Sequence, residues 1–181
     1  MRKFKVAAIA MAMAAMSAPT HAQMNAAPGQ RQFDLVSGIL FTCASATGFA
    51  WTGEACDKLS GEFKKRAEAA KLAFVEVPIT ADFRTKKLET VDGFDRDRAV
   101  RVFWNFTEDA DAKGVIKASL SANRIWEPTP KEIPNAAPGQ RIPLNFYAQS
   151  AMSKPGIKLK DMQPYLDIIT ESFFKVGETR N

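Results

Sequence analysis

Three stretches of the chain alternate apolar with polar residues, which is the pattern of a strand with one buried face. The first two are joined by the polar segment 107–114, so they predict an antiparallel hairpin. The third contains Pro143, which lacks a backbone donor, and therefore predicts an edge strand. The alternating apolar positions are Val100, Val102, Trp104 and Phe106; Ile116, Ala118, Leu120, Ala122 and Trp126; and Ile142, Leu144, Phe146 and Ala148.

Two shorter apolar segments predict further strands. Phe33, Leu35, Ile39 and Phe41 recur at even spacing, and residues 72–79 form a short run of strand-forming residues.

Two helices are predicted from apolar residues spaced three or four apart. Thr52 is a candidate cap for the first helix, which is expected to begin near Gly53. Asp161 is a candidate cap for the second, with Pro164 in its first turn and Gly177 as its stop. The apolar stripes are Cys56, Leu59, Phe63, Ala67 and Ala70 in the first helix, and Tyr165, Ile168, Ile169, Phe173 and Val176 in the second.

The order strand, helix, strand, hairpin, strand, helix predicts an α+β fold. We expect a single twisted, mostly antiparallel sheet of about five strands with two helices packed on one face. The domain is expected to span residues 33–177, with a flexible lead-in at 23–32 and a tail at 178–181. This architecture resembles the helix-on-sheet domains of several envelope assembly and transport-accessory proteins, a likeness of fold without a shared motif.

The first 22 residues have the pattern of a cleaved secretory signal. Three cations precede an uncharged apolar run at 6–16, and Ala22 is small enough to precede a cleavage site before Gln23. An uncleaved membrane anchor is the alternative, but the run is shorter than the ~20 residues that a span requires. The sequence therefore predicts a soluble periplasmic or secreted protein with no transmembrane segment in the mature chain.

Removing the signal changes what chemistry is available. The net charge falls from +5 to +2, because the signal holds three of the 25 Lys and Arg and none of the 20 acids. This small charge gives no support to a nucleic-acid partner. The single histidine, His21, is also lost, which excludes a Ser-His-Asp triad and imidazole-based zinc sites. No nucleotide-binding glycine motif occurs, so we predict no cofactor, no metal and no catalytic residue.

Cys43 and Cys56 are the two cysteines of the chain, and an even number in an exported protein favours one disulfide. Cys43 is expected to end the first strand, and Cys56 to lie in the first turn of the first helix with its sulfur pointing inward. Two buried free thiols are the alternative.

Two groups of residues are candidates for binding or chemistry. Asp92, Asp95 and Asp97 cluster in a polar connection and are candidates for an ion site or an acid/base pair, although interleaved arginines favour a solvated, self-neutralising loop. Phe103 and Tyr147 are predicted on the sheet face opposite the helices. Together with Trp126 they form a candidate surface for a partner or ligand, with ordinary cross-strand packing as the alternative.

These observations favour a non-catalytic exported protein that acts by protein–protein contact, as an envelope assembly or transport accessory with an unknown envelope partner. The second hypothesis is a periplasmic carrier of a small ligand or lipid, with its site between the open sheet face and the proline-rich segment that follows Trp126. The third is an enzyme that works through carboxylates alone.

Overall fold

The computed structural model describes residues 31–79, 95, 98–126 and 142–179. It begins with a short 3₁₀ helix, Gln32–Leu35, and continues as strand, helix, strand, hairpin, strand and helix, which confirms the predicted order. The elements are β1 (Gly38–Ala44), α1 (Ala50–Ala69), β2 (Ala73–Glu76), β3 (Val100–Glu108), β4 (Ile116–Trp126), β5 (Ile142–Met152) and α2 (Leu159–Glu178).

The five strands form one sheet in the order β2-β1-β3-β4-β5. β1 runs parallel to both β2 and β3, while β3, β4 and β5 form an antiparallel meander. Antiparallel pairing dominates, with nine and ten register pairs in the meander against four and six in the parallel pairs. The α+β class, the predicted hairpin and the edge position of β5 are confirmed; the parallel pairs make the sheet mixed.

Both helices cover the same face of the sheet. The residues of β1, β3 and β4 that point to this face are buried and form one core with the inner faces of α1 and α2. Phe63 of α1 joins the layers, since its ring lies 5.1 Å from that of Phe41 in β1 and 5.2 Å from that of Phe174 in α2. Within the described residues, neither helix has the length and apolar character needed to cross a membrane.

The start of the domain differs from the prediction. Phe33 and Leu35 belong to the 3₁₀ helix and not to a strand. Phe33 is buried beneath the end of α2, and the backbone N–H of Gln32 donates to the carbonyl of Thr179. Gln32, predicted in the lead-in, and Glu178, predicted in the tail, are therefore both part of regular structure.

The helix boundaries also differ. α1 begins at Ala50, and the hydroxyl of Thr52 donates to the carbonyl of Phe49 at 2.7 Å and accepts from the N–H of Ala46 at 3.0 Å. Thr52 therefore fastens the preceding loop to the helix and does not cap it.

α2 begins at Leu159, two residues before Asp161, which places Pro164 inside the helix beyond its first turn. The earlier start buries the side chain of Leu159. The helix also continues through Gly177, which was predicted as its stop.

Candidate functional site

A disulfide joins Cys43 and Cys56, as predicted, with the two Cα atoms 5.6 Å apart. Cys43 is the penultimate residue of β1, one residue from the predicted position at the end of the strand. Cys56 is the seventh residue of α1 and lies in its second turn, because the helix begins earlier than expected. Both cysteines contact the main core. The bond therefore ties the start of α1 to the end of the central parallel strand, a structural role.

Tyr147 is not on the open face of the sheet, and that prediction is wrong. Ala122 pairs with Tyr147 whereas Asn123 pairs with Asn145, so Phe146 is an extra residue on β5. This bulge breaks the alternation, and both Phe146 and Tyr147 are buried in the core beneath α2.

The hydroxyl of Tyr147 is held between β5 and α2. It lies 2.6 Å from Oε1 of Gln149 and 3.1 Å from the carbonyl oxygen of Ile169. Burial raises the pKa of Tyr147 above its ordinary value, and a hydrogen bond with the side chain of Ser172 offsets part of that rise. Tyr147 therefore fixes α2 at a defined level above the middle of β5.

The other predicted surface residues do not join Tyr147. Phe103 is half-buried on the face away from the helices, between Thr42 of β1 and Ser121 of β4 in register. Trp126 is the last residue of β4, and its side chain lies outside the described residues.

The acidic cluster is described only at Asp95, which is exposed; Asp92 and Asp97 lie outside the described residues. Within the described part of the chain, no group of three His, Cys, Asp or Glu side chains is placed to hold a metal ion.

The outer side of β5 is the most distinctive surface of the sheet. Over the described ranges, β5 pairs with β4 and no strand pairs with its other side. None of its eleven residues is charged. Pro143 and the bulge at Phe146 protect its first half in the way that natural edge strands are protected, but residues 147–152 carry neither device.

A stripe along α2 lies beside this edge. Asp161, Tyr165, Ile168, Ser172 and Lys175 follow one another at steps of four, three, four and three, so they share one side of the helix. Tyr165 and Ile168 are 54% and 52% exposed. The stripe lies on the β5 side, because Ser172 interacts with Tyr147. We call residues 147–152 together with this stripe the β5–α2 edge.

The prediction that Tyr165 and Ile168 belong to the buried face of α2 is wrong. The buried stripe is made by other residues, namely Leu159, Met162, Leu166, Ile169, Thr170, Phe173, Phe174 and Gly177. These buried residues alone have the spacing of three and four that one buried helix face requires. Tyr165 and Ile168 are therefore apolar residues beyond what that face needs, and this was the signal that they are exposed.

Among the described residues, two open grooves lie between the helices. One, of about 650 Å³, lies where both helices begin; Trp51, Lys58, Lys158 and Lys160 are among the residues that line it. Lys58 pairs with Glu54 at 3.0 Å. The other, of about 610 Å³, lies where both helices end and is lined by residues of both charge signs.

Comparison with known proteins adds little to this geometry. No family model and no curated protein matches the chain. A solved structure described as a neuraminyllactose-binding hemagglutinin homologue from Helicobacter pylori aligns over 86% of this chain and 89% of its own, with 11% identity and a TM-score of 0.29. A similarity this low carries no inference about the chain.

Proposed function

We propose that the chain is an exported, non-catalytic protein that acts in the cell envelope by protein–protein contact, with the β5–α2 edge as its contact surface. The observation that carries this proposal is the uncharged, unprotected half of an edge strand lying beside two half-exposed large apolar side chains, Tyr165 and Ile168. An edge strand offers a row of backbone donors and acceptors that pairs readily with a further strand.

Apolar burial makes a modest favourable contribution to association at this edge. Burying the exposed halves of Tyr165 and Ile168 contributes roughly 1 kcal/mol each by the area rule. The backbone hydrogen bonds of a newly paired strand also fix the direction and register of the bound segment. Because association costs at least about 4 kcal/mol, this apolar gain alone supports only a weak, reversible contact, and the strand pairing has to supply the rest.

Export is the second part of the proposal. It rests on the signal pattern of residues 1–22 and is supported by the disulfide, which is typical of proteins in oxidising compartments. We expect the mature protein, recovered from the periplasm or the medium, to begin at Gln23. The intact mass of the purified protein measures this directly; a full-length chain retained in the membrane contradicts it.

Site-specific photocrosslinking in living cells tests the contact surface. A photoreactive phenylalanine analogue is placed at Ile168 or Ser150 on the edge, and at Ile79 or Lys64 as controls. Ile79 is the matched control, because it is 51% exposed and follows β2 at the opposite side of the sheet. We expect a discrete polypeptide adduct from both edge positions and none from the controls. Adducts that are absent, or equal at all four positions, refute the proposal.

A ligand carrier is the second candidate, favoured by the groove at the start of the helices. Its walls combine an indole ring with three lysines and Glu54, which pairs with Lys58; Lys158 and Lys160 have no ion-pair partner among the described residues. Such a lining suits an anionic ligand with a planar or apolar part. Native mass spectrometry of freshly purified protein tests it: a retained anion that is lost in the Lys158→Glu/Lys160→Glu variant, but kept in Lys64→Glu/Lys65→Glu, supports the carrier. The carboxylate-based enzyme stays a third hypothesis.

A further inference from the structure

We infer that the polypeptide bound at the β5–α2 edge is a second copy of this chain. In this dimer β5 pairs antiparallel with the second copy's β5, and the two α2 helices pack antiparallel on the same side of the joined sheets. The two-fold axis passes beside Ile168. The inference rests on the proposed function in taking this edge as the contact surface.

Charge symmetry along the stripe indicates a second copy in preference to another partner. Asp161 lies seven residues before Ile168, and Lys175 lies seven residues after it. Neither forms an ion pair within the described residues, and both are exposed. Two antiparallel helices that cross at Ile168 place each Asp161 opposite the Lys175 of the other copy. The stripe is therefore complementary to itself, which is what an interface with two-fold symmetry requires.

The strand and the helix share the same axis. The hydroxyl of Tyr147 lies 2.6 Å from Oε1 of Gln149 and 3.1 Å from the carbonyl oxygen of Ile169, so Gln149 in the unprotected half of β5 lies near the midpoint of the stripe. An axis that passes beside Ile168 therefore also passes near Gln149, and an axis between Gln149 and Ser150 pairs the unprotected residues 147–152 of the two copies with each other. A single rotation satisfies the strand pairing and the helix pairing together.

The composition of β5 permits pairing with itself. In an antiparallel pair, each side chain lies opposite one from the other strand, and like charges in such positions are destabilising. β5 has no charged residue, so no register places like charges against each other. Ala148 and Ser150 are small and exposed, and Met152 at the end of the strand adds a third large exposed apolar side chain to this edge.

Light scattering coupled to size-exclusion chromatography, over a concentration series of the oxidised mature protein, tests the dimer. We expect the mass to rise with concentration to twice that of one chain. Ile168→Asp is expected to leave a monomer, whereas Ile79→Asp, an equally exposed position at the far side of the sheet, is expected to dimerise as the wild type does. A wild type that stays monomeric throughout, or two variants that dimerise equally well, overturns the inference.

A charge exchange tests the arrangement of the helices. Asp161→Lys and Lys175→Asp each place like charges across both symmetry-related contacts, so each is expected to weaken dimerisation by about tenfold. The double variant restores opposite charges and is expected to recover most of the affinity. The substitutions could instead act only by destabilising α2 within each chain, because they place unfavourable charges at both ends of the helix dipole. In that case the double variant dimerises more weakly than either single variant, and the arrangement is refuted.

The identity of the crosslinked adduct separates this inference from the proposed function. An adduct from Ile168 at twice the chain mass, containing peptides of this chain alone, supports the dimer. An adduct with a different polypeptide, together with monomeric purified protein, overturns the dimer and leaves the contact function standing. The absence of any adduct overturns both.

Discussion

Gly177 is expected to tolerate no side chain, even though it lies in a helix. A Cβ at this position would come closer than 3.0 Å to three atoms of the Phe33 ring. Its φ is not in the left-handed region, so glycine is needed here for close approach and not for backbone freedom. Gly177→Ala therefore opposes the ordinary helix preference, under which alanine stabilises by up to about 1 kcal/mol.

The size of the effect follows from the surroundings of Phe33. The ring is 1% exposed, and its centroid lies 5.8 Å from each of the rings of Phe146, Phe173 and Phe174, so it has no free space to move into. Overpacking of this kind costs roughly 1–3 kcal/mol. Expelling the ring instead costs roughly 3–5 kcal/mol, as in removal of a buried phenylalanine. We expect Gly177→Ala to lower the free energy of unfolding by about 2–4 kcal/mol.

Urea unfolding followed by circular dichroism measures this, with Gly61→Ala as the matched control. Gly61 also lies in a helix, but a Cβ there would meet nothing within 4 Å, so this variant is expected to gain about 0.5–1 kcal/mol. Phe33→Leu combined with Gly177→Ala is expected to be more stable than the sum of the two single changes predicts. If Gly177→Ala is as stable as Gly61→Ala, the packing of the 3₁₀ helix under α2 is refuted.

Two further predictions concern the disulfide and the buried tyrosine. Replacing both Cys43 and Cys56 with serine is expected to cost about 3 kcal/mol, since the bond spans a sequence separation of 13; urea unfolding that shows no loss contradicts this. In a Tyr165→Phe variant, which retains Tyr147 as its single tyrosine, the absorbance change at 295 nm is expected to have its midpoint above pH ~10. Because the pKa of Tyr147 is raised in the folded state, its contribution to stability is complete below the pKa of the unfolded chain and is lost as pH rises through the pKa of the folded state. Tyr147→Phe is expected to remove this loss of stability at alkaline pH.

β3 was predictable from its alternation because it buries one face, whereas β1 is buried on both faces and β2 was predicted from a short run of strand-forming residues. The alternation in β3 and β4 is regular, and its buried residues Val102, Trp104 and Phe106 are those that the pattern identifies. Cys43 and Cys56 were predictable as a pair from their number and from the predicted export. The parallel pairing of β1 was not predictable, because alternation carries no information about strand direction.

The misplaced residues have local physical causes. Phe33 and Leu35 have even spacing, and four residues do not distinguish a strand from a 3₁₀ helix whose aromatic ring packs under α2. Tyr147 is placed by a bulge, which shifts the two faces of a strand without any change in composition. The stripe at Tyr165 and Ile168 was hidden because α2 carries more apolar residues than one face can bury.

Hydrogen exchange tests the central claim, the β5–α2 edge as contact surface, most directly. Deuterium uptake is measured in dilute purified protein and in the same tagged protein within the envelope fraction. The envelope sample is exchanged and quenched first, and the tagged protein is then recovered from it for analysis. Peptides covering β5 are expected to exchange rapidly in dilute protein, because its outer amides lack a strand partner within the described residues, and to become protected in the envelope fraction. Peptides covering β2, at the opposite side of the sheet, are expected to show no change. Protection that appears at β2 or on α1, with β5 unchanged, contradicts the account.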